Sequence, residues 1–122
     1  MKKTKIKKIS KKDIKWRVIT GNPIQVLPKL KSSLRHYRKN YSSVYIGITN
    51  DPNRRLSQHK SKLRWDTMVV KYSSSSTNYV RKIEKELDSF ALNRGYGLEN
   101  RTGGGGGQTG EGKQYLYFLL CK

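Results

Sequence analysis

The sequence predicts one small mixed α/β domain with three or four strands and three helices. The chain has 122 residues, which is enough for a single modest core. Short segments rich in β-branched and aromatic residues alternate with segments whose apolar residues recur every three or four positions. The sequence contains no internal repeat. Together these observations indicate alternating strands and helices around one core.

Four segments are predicted as strands and three as helices. Asn22 and Pro23 are the expected cap and first turn of the first helix, and Asp51 and Pro52 those of the second. Pro28 lies inside the first helical pattern, so we expect a kink or a separate first turn there. The predicted strands are 15–20, 42–49, 67–72 and 114–120, and the predicted helices are 23–41, 52–62 and 78–92.

The first helix has a helical apolar stripe, and its outer face is basic. The stripe comprises Ile24, Leu27, Leu30, Leu34, Tyr37 and Tyr41. The outer face carries Lys29, Lys31, Arg35, Arg38 and Lys39. From the sequence, this basic face can contact either a nucleic acid or water.

The charge of the chain predicts a polyanionic partner. The net charge is +19, from 27 Lys and Arg against 8 acidic residues, and such an excess favours phosphate binding by counterion release. Residues 1–15 hold eight lysines and a single acid, Asp13, so we expect a basic arm there and one domain over 16–122. A solubilising tail is the alternative. The predicted nucleic-acid contacts are Lys2, Lys3, Lys5, Lys7, Lys8, Lys11, Lys12, Arg54 and Lys60.

Several classes of site are disfavoured. Cys121 is the only cysteine, which excludes a disulfide within the chain and a cysteine-based zinc site. His36 and His59 lie 23 positions apart, without a carboxylate at metal-binding spacing. No apolar run approaches the roughly 18 residues of a membrane span, and no apolar stretch follows the basic start. We therefore expect no membrane partner and an intracellular, cytoplasmic or nucleoid/nuclear, location.

A glycine-rich loop at 103–112 contains a misleading motif. Residues 107–113 spell G-x-x-x-x-G-K, but Gln114 stands where a Ser or Thr would hold magnesium. A strand rather than a helix follows, so no helix N-terminus would face the phosphates. A nucleoside-triphosphate site is therefore not predicted. The loop can lie along a nucleic acid, or it can be an ordinary flexible loop.

The junction between the second strand and the second helix is a candidate phosphate site. Arg55 and His59 are four apart and share one helix face, while Tyr45 and Gly47 share one strand face. A guanidinium suits a phosphate, and a phenol or imidazole can take a proton from water. From the residues alone, a basic helix lying on a sheet with Tyr45 in the core is an equally good interpretation.

Glu84 is the candidate metal ligand. It follows Val80 by four positions and precedes Leu87 by three, which places its carboxylate at the edge of a buried stripe. A charge there is costly unless it has a partner. A divalent ion is one such partner, and a salt bridge to Lys or Arg is the other. Glu86 and Asp88 are expected further around the surface.

Three segments together resemble the GIY-YIG nuclease family, over roughly 44–100. The stretch "YIGITNDPNRRLSQH" is similar to the second half of the family's signature, and "VRKIEKEL" to its later metal-binding helix. "LEN" is similar to its downstream asparagine segment. The resemblance implies an α+β fold with a small antiparallel three- to four-stranded sheet flanked by helices. It also implies phosphodiester cleavage with one divalent ion, Mg²⁺ or Mn²⁺.

The resemblance further implies individual roles. The residues are Tyr45, Arg55, His59 and Glu84 as catalytic residues, with Gly47 and Asn100 in support. Glu84 would bind the metal. In such a site water attacks in line, a tyrosine or histidine assists its deprotonation, and metal and arginine stabilise the added charge.

The first half of the family signature is not visible upstream of "YIG", where the sequence predicts a helix. Its phenol could come from the strand at 15–20, or from the terminal strand through Tyr115 or Tyr117 in a rearranged sheet. The sequence thus predicts a metal-dependent endonuclease, with DNA favoured over RNA. The alternatives are a noncatalytic nucleic-acid-binding protein on a degenerate version of the fold, and a structural basic protein of a ribonucleoprotein or virion.

Overall fold

The computed structural model describes residues 14–60, 66–98 and 112–122, apart from the side chains of residues 59 and 60. All seven predicted elements are present. They are β1 (Ile14–Ile19), α1 (Pro23–Asn40), β2 (Ser43–Thr49), α2 (Pro52–Lys60), β3 (Thr67–Ser74), α3 (Thr77–Asn93) and β4 (Gln114–Cys121). The predicted α+β class is confirmed. None of the described helices is long and apolar enough to cross a membrane.

The four strands form one sheet in the order β1-β3-β4-β2. Strand β4 is antiparallel to both of its neighbours, β2 and β3, as predicted for the sheet. Strand β1 instead pairs in parallel with β3, so the sheet is mixed rather than wholly antiparallel. The last strand of the chain therefore occupies an inner position, directly beside β2.

The sheet separates two clusters of apolar side chains, because successive strand residues point to opposite faces. Helices α1 and α3 pack on one face, called here the α1/α3 face, which carries the larger cluster. The opposite face, called the α2 face, carries a smaller cluster that includes Leu56 of α2. This smaller cluster comprises Ile14, Leu56, Met68, Val70, Tyr117 and Leu119.

Side-chain caps explain where the helices begin. The Asn22 side chain accepts a hydrogen bond from the backbone N–H of Ile24 at 3.0 Å. The Asp51 side chain accepts one from the N–H of Arg54 at 3.1 Å. These caps satisfy backbone donors that have no partner within the helix. Both predicted helix starts are confirmed.

Helix α1 differs from its prediction in two respects. It runs unbroken through Pro28. The proline leaves the carbonyl of Ile24 without its helical donor, but Pro28 and Ile24 are both exposed, so water can reach that carbonyl. Ile24, predicted in the apolar stripe, is 75 % exposed, whereas Val26 is buried.

The first strand begins inside the segment that was predicted as the basic arm. Ile14 was expected in the basic arm, but it begins β1 and is buried against Met68, its partner in the sheet. Because burial of an aliphatic side chain is favourable, Ile14 contributes to the core at the edge of the sheet. The arm residues 1–13 and most of the glycine-rich loop lie outside the described residues.

Candidate active site

Tyr117 lies over Gly47 on the α2 face of the sheet. The two residues are directly paired between β4 and β2. A methyl group added at Gly47 would lie 2.5 Å from Cζ and 2.8 Å from Cε1 of the Tyr117 ring, closer than real side chains approach. Glycine at this position therefore permits a close approach of the ring to β2. The predicted supporting role of Gly47 stays a prediction, and this contact is a structural reason for glycine at the position.

Arg55 and Tyr45 meet the same ring. Arg55 lies in the first turns of α2, and its Nη1 donates a long hydrogen bond of 3.4 Å to the phenol oxygen of Tyr117. The ring of Tyr45 is stacked beside that of Tyr117, with centroids 6.2 Å apart and planes inclined by 26°. We call Tyr45, Arg55 and Tyr117 the Tyr–Arg cluster. Both Tyr45 and Arg55 are partly exposed, so a ligand can reach the cluster.

The terminal strand thus provides the second phenol. Among the alternatives left open by the sequence, Tyr117 rather than Tyr115 contacts Arg55. Tyr115 faces the same side but makes its ring contact with Trp16. The pairing register selects between them, because Tyr117 stands opposite Gly47 and Tyr115 stands opposite Thr49.

The phenol of Tyr117 is a hydrogen-bond donor at neutral pH. Burial raises its pKa, the neighbouring Tyr45 raises it further, and the guanidinium of Arg55 opposes both effects. The net pKa is well above the ordinary value for tyrosine. Tyr117 therefore suits a role in donating to a phosphate oxygen or holding Arg55, and not a role as the base.

The other predicted contacts around α2 are only partly described. Arg54 is exposed and points away from the cluster, with its Nη2 donating to the Asn50 side chain at 3.4 Å. His59 and Lys60 end α2, but their side chains lie outside the described residues. Asn100 also lies outside them. The roles of Arg54, His59, Lys60 and Asn100 stay predictions.

Glu84 is buried, as its spacing predicts. It is 7 % exposed, and its Oε2 has no hydrogen-bond partner among the described residues. Burial raises its pKa to about 7, the nearby Asp88 adds to the rise, and Arg81 opposes it. No Lys or Arg side chain among the described residues donates a hydrogen bond to this oxygen. A salt bridge to Lys or Arg was the competing explanation for a carboxylate at this position.

Asp88 is less exposed than predicted. Its Oδ1 is buried without a partner in the described part of the chain, and burial raises its pKa. Asp88 follows Glu84 by one helical turn, so the two carboxylates share one flank of α3. Two unsatisfied carboxylate oxygens of this kind suit a hard divalent cation. No group of three or more His, Cys, Asp or Glu side chains converges within the described ranges.

Helix α3 lies on the α1/α3 face, so Glu84 is not on the same face as the Tyr–Arg cluster. No described hydrogen bond joins Glu84 to Arg55, and Arg55 is not among the charges that shift the pKa of Glu84. The structure therefore brings Tyr45, Gly47 and Arg55 together with Tyr117. Glu84 belongs to α3, whose apolar side chains pack on the α1/α3 face.

Helix α3 packs against α1 and against the three strands β2, β3 and β4. The ring of Phe90 on α3 lies 5.4 Å from the Nζ of Lys31 on α1.

A basic cleft lies apart from this site. It has a volume of about 500 Å³ and is lined by Ser32, Arg35, His36, Arg38, Lys39, Gly95 and Tyr96. Arg38 is committed in part to the end of α1, since its Nη1 donates to the carbonyl of Ser42 at 3.1 Å. The remaining cations give this surface a positive potential suited to phosphates.

Comparison with known proteins supports the resemblance. Residues 35–88 match the model of the GIY-YIG catalytic domain. The matched segment is less than half of the chain and includes Tyr45, Gly47, Arg55 and Glu84. The predicted resemblance is confirmed, while β4 with Tyr117 lies beyond the matched segment. No curated protein and no solved structure matched the chain.

Proposed function

We propose that the protein is a metal-dependent endonuclease that hydrolyses phosphodiester bonds of nucleic acid, with DNA preferred over RNA. The observation that carries this proposal is the Tyr–Arg cluster. It combines a guanidinium and two phenols at a partly exposed position on a strongly basic protein. The match to a catalytic nuclease domain supports the same reaction.

Each residue of the cluster has a distinct task. Arg55 binds a phosphate oxygen and stabilises the charge that develops when water attacks phosphorus. Tyr117 donates a hydrogen bond to the same phosphate and holds the guanidinium in place. Tyr45, which is more exposed than Tyr117, contacts the attacking water. Its phenol or the imidazole of His59 takes the proton.

Glu84 would hold the divalent ion, with Asp88 as a second carboxylate. A buried oxygen without a partner is a destabilising feature that a bound cation corrects. Mg²⁺ or Mn²⁺ bound there supplies Lewis-acid stabilisation of the phosphate charge.

A noncatalytic nucleic-acid-binding function is the second candidate. It is favoured by the packing of α2, which carries Arg55, and of α3, which carries Glu84, on opposite faces of the sheet, and by the raised pKa of Tyr117. In such a protein the Tyr–Arg cluster would bind phosphate without cutting. Replacement of Glu84 would then leave nucleic-acid affinity intact or improve it, because a buried negative charge is removed.

Incubation of the purified protein with supercoiled plasmid and with RNA separates the two functions. An endonuclease nicks the plasmid with Mg²⁺ or Mn²⁺ and stops when a chelator is added. Glu84→Gln should abolish nicking while binding persists, and Glu86→Gln is the matched control on the same helix. Binding without cleavage of either nucleic acid, across both metals, would establish the noncatalytic function instead.

A further inference from the structure

An exposed tryptophan shares the row of residues that carries the Tyr–Arg cluster. Trp16 of β1 is paired with Val70 of β3, Val70 with Tyr117 of β4, and Tyr117 with Gly47 of β2. Paired residues of neighbouring strands point to the same face of a sheet. The four residues therefore form one row across the α2 face.

The position of Trp16 is unusual for so large an apolar side chain. It is 48 % exposed, and it lies on β1, an outer strand of the described sheet. Its ring meets the ring of Tyr115 edge-on, with centroids 6.0 Å apart and planes at 82°. This contact holds the indole at one side and leaves much of its surface open to a ligand.

The distance from Trp16 to the cluster suits a neighbouring nucleotide. Two strand spacings separate Trp16 from Tyr117, which is about 10 Å between their backbones. A nucleic acid whose phosphate is bound by Arg55 would extend along the same face. The high positive charge of the chain makes such a polyanion a better occupant of this face than another apolar surface.

We infer that Trp16 stacks on an unpaired base of the DNA strand whose phosphate lies at the Tyr–Arg cluster. The inference rests on the proposed function and narrows its substrate to single-stranded or locally unpaired DNA. In a duplex the faces of each base are covered by its stacked neighbours, so an indole on a sheet reaches them only where pairing is lost. A single-stranded segment offers its bases directly.

Tryptophan emission reports this contact without any cleavage. With Trp65→Phe as background, Trp16 is the only indole in the chain. A single-stranded oligonucleotide of about a dozen nucleotides, added with chelator present, should quench its emission saturably. No quenching at saturating oligonucleotide would overturn the inference. Anisotropy of a labelled oligonucleotide gives a second measurement in a chain that retains Trp65.

Affinity measurements test the preference for unpaired DNA. Trp16→Leu should weaken binding of the single strand by about 5- to 100-fold and binding of a duplex of equal length by less than about twofold. Tyr79→Leu is the matched control, because Tyr79 is 40 % exposed and belongs to α3 on the other face. Equal losses for single strand and duplex, or for both variants, would contradict the inference.

The inference and the proposed function fail in different ways. Saturable quenching of Trp16 emission in a protein that cuts neither plasmid nor RNA would support the Trp16 contact and contradict the proposed nuclease function. If a Trp16→Leu variant cleaves with metal and its affinity for single-stranded DNA is unchanged, the nuclease function is supported and the Trp16 contact is contradicted.

Discussion

The ring of Tyr117 fills the space that a side chain at residue 47 would need, and Gly47 leaves that space open. The contact joins the last strand of the chain to β2, and it brings the phenol of Tyr117 within hydrogen-bonding distance of Arg55. A residue from the C-terminal strand thus completes a group that otherwise comes from the segment 45–55.

Gly47→Ala should disturb both stability and function. The added methyl group meets the Tyr117 ring, so the ring or β2 must move, which costs about 1–3 kcal/mol of unfolding free energy. We expect the same variant to lose nucleic-acid cleavage because Tyr117 leaves Arg55. Urea denaturation and the plasmid assay measure the two effects.

Gly97→Ala is the control for that substitution. A methyl group at Gly97 meets no atom of the described residues within 4 Å, so the unfolding free energy of this variant should change by less than about 0.5 kcal/mol. If Gly47→Ala is as stable and as active as Gly97→Ala, the close approach of Tyr117 to β2 is not a feature of the folded protein.

Tyr117→Phe should lower the cleavage rate with little loss of stability. The substitution keeps the ring over Gly47 and removes the hydroxyl that Arg55 contacts. We expect a fall in rate of about 10- to 100-fold and a change in unfolding free energy of less than about 1 kcal/mol. Tyr115→Phe, on the same face of the same strand, should retain its activity. If Tyr115→Phe lost more activity than Tyr117→Phe, the catalytic phenol would belong to Tyr115 and the assignment to Tyr117 would be wrong.

Glu84→Gln should stabilise the metal-free protein as the pH rises. The folded state keeps the proton of Glu84 up to about pH 7, whereas the unfolded carboxyl releases it near pH 4.5. The contribution of Glu84 to stability is therefore lost across this interval, by up to about 3 kcal/mol. Glutamine does not titrate, so the variant should gain stability relative to the wild type between these pH values. Urea denaturation with chelator present measures the difference.

The opposite effect is expected when metal is added. If Mg²⁺ or Mn²⁺ binds the ionised carboxylate of Glu84, as proposed, millimolar metal should raise the melting temperature of the wild type at neutral pH and leave that of Glu84→Gln unchanged. Asp88→Asn should show a reduced shift. An equal metal-induced shift in wild type and Glu84→Gln would place the ion elsewhere.

Deletion of residues 1–12 should weaken DNA binding and reduce its dependence on salt. The deletion removes seven lysines, and each phosphate that is no longer neutralised lowers the logarithmic salt slope by about 0.7–0.9. For single-stranded DNA, the slope of the logarithm of the binding constant against the logarithm of salt concentration should decrease in magnitude by up to about 5. The cleavage rate at saturating protein should stay unchanged. Unchanged slopes would make the arm a solubilising tail.

Local features of the fold were predictable from the sequence, whereas pairings between distant segments were not. The caps at Asn22 and Asp51 act on backbone groups two and three residues away, so short patterns suffice to find them. The parallel pairing of β1 with β3 depends on contacts across about 50 residues, and no short pattern encodes it.

The candidate site shows the same division. Tyr45, Gly47 and Arg55 belong to one continuous stretch and were found by spacing. Tyr117 is 62 residues from Arg55, and the sequence could not choose it over Tyr115 because the choice depends on strand register. Asp88 was missed, although its position one turn after Glu84 was a usable signal.

A double-mutant cycle on Arg55 and Tyr117 tests the central claim most directly. The measurement is the single-turnover rate of DNA cleavage with Mn²⁺ for the wild type, Arg55→Lys, Tyr117→Phe and the double variant. If the two side chains act as one phosphate-binding unit, the double variant should cleave about as slowly as the slower single variant, with a coupling energy of about 0.5–3 kcal/mol. The account would be contradicted if the rate of the double variant fell by the product of the two single reductions. It would also be contradicted if neither single substitution changed the rate.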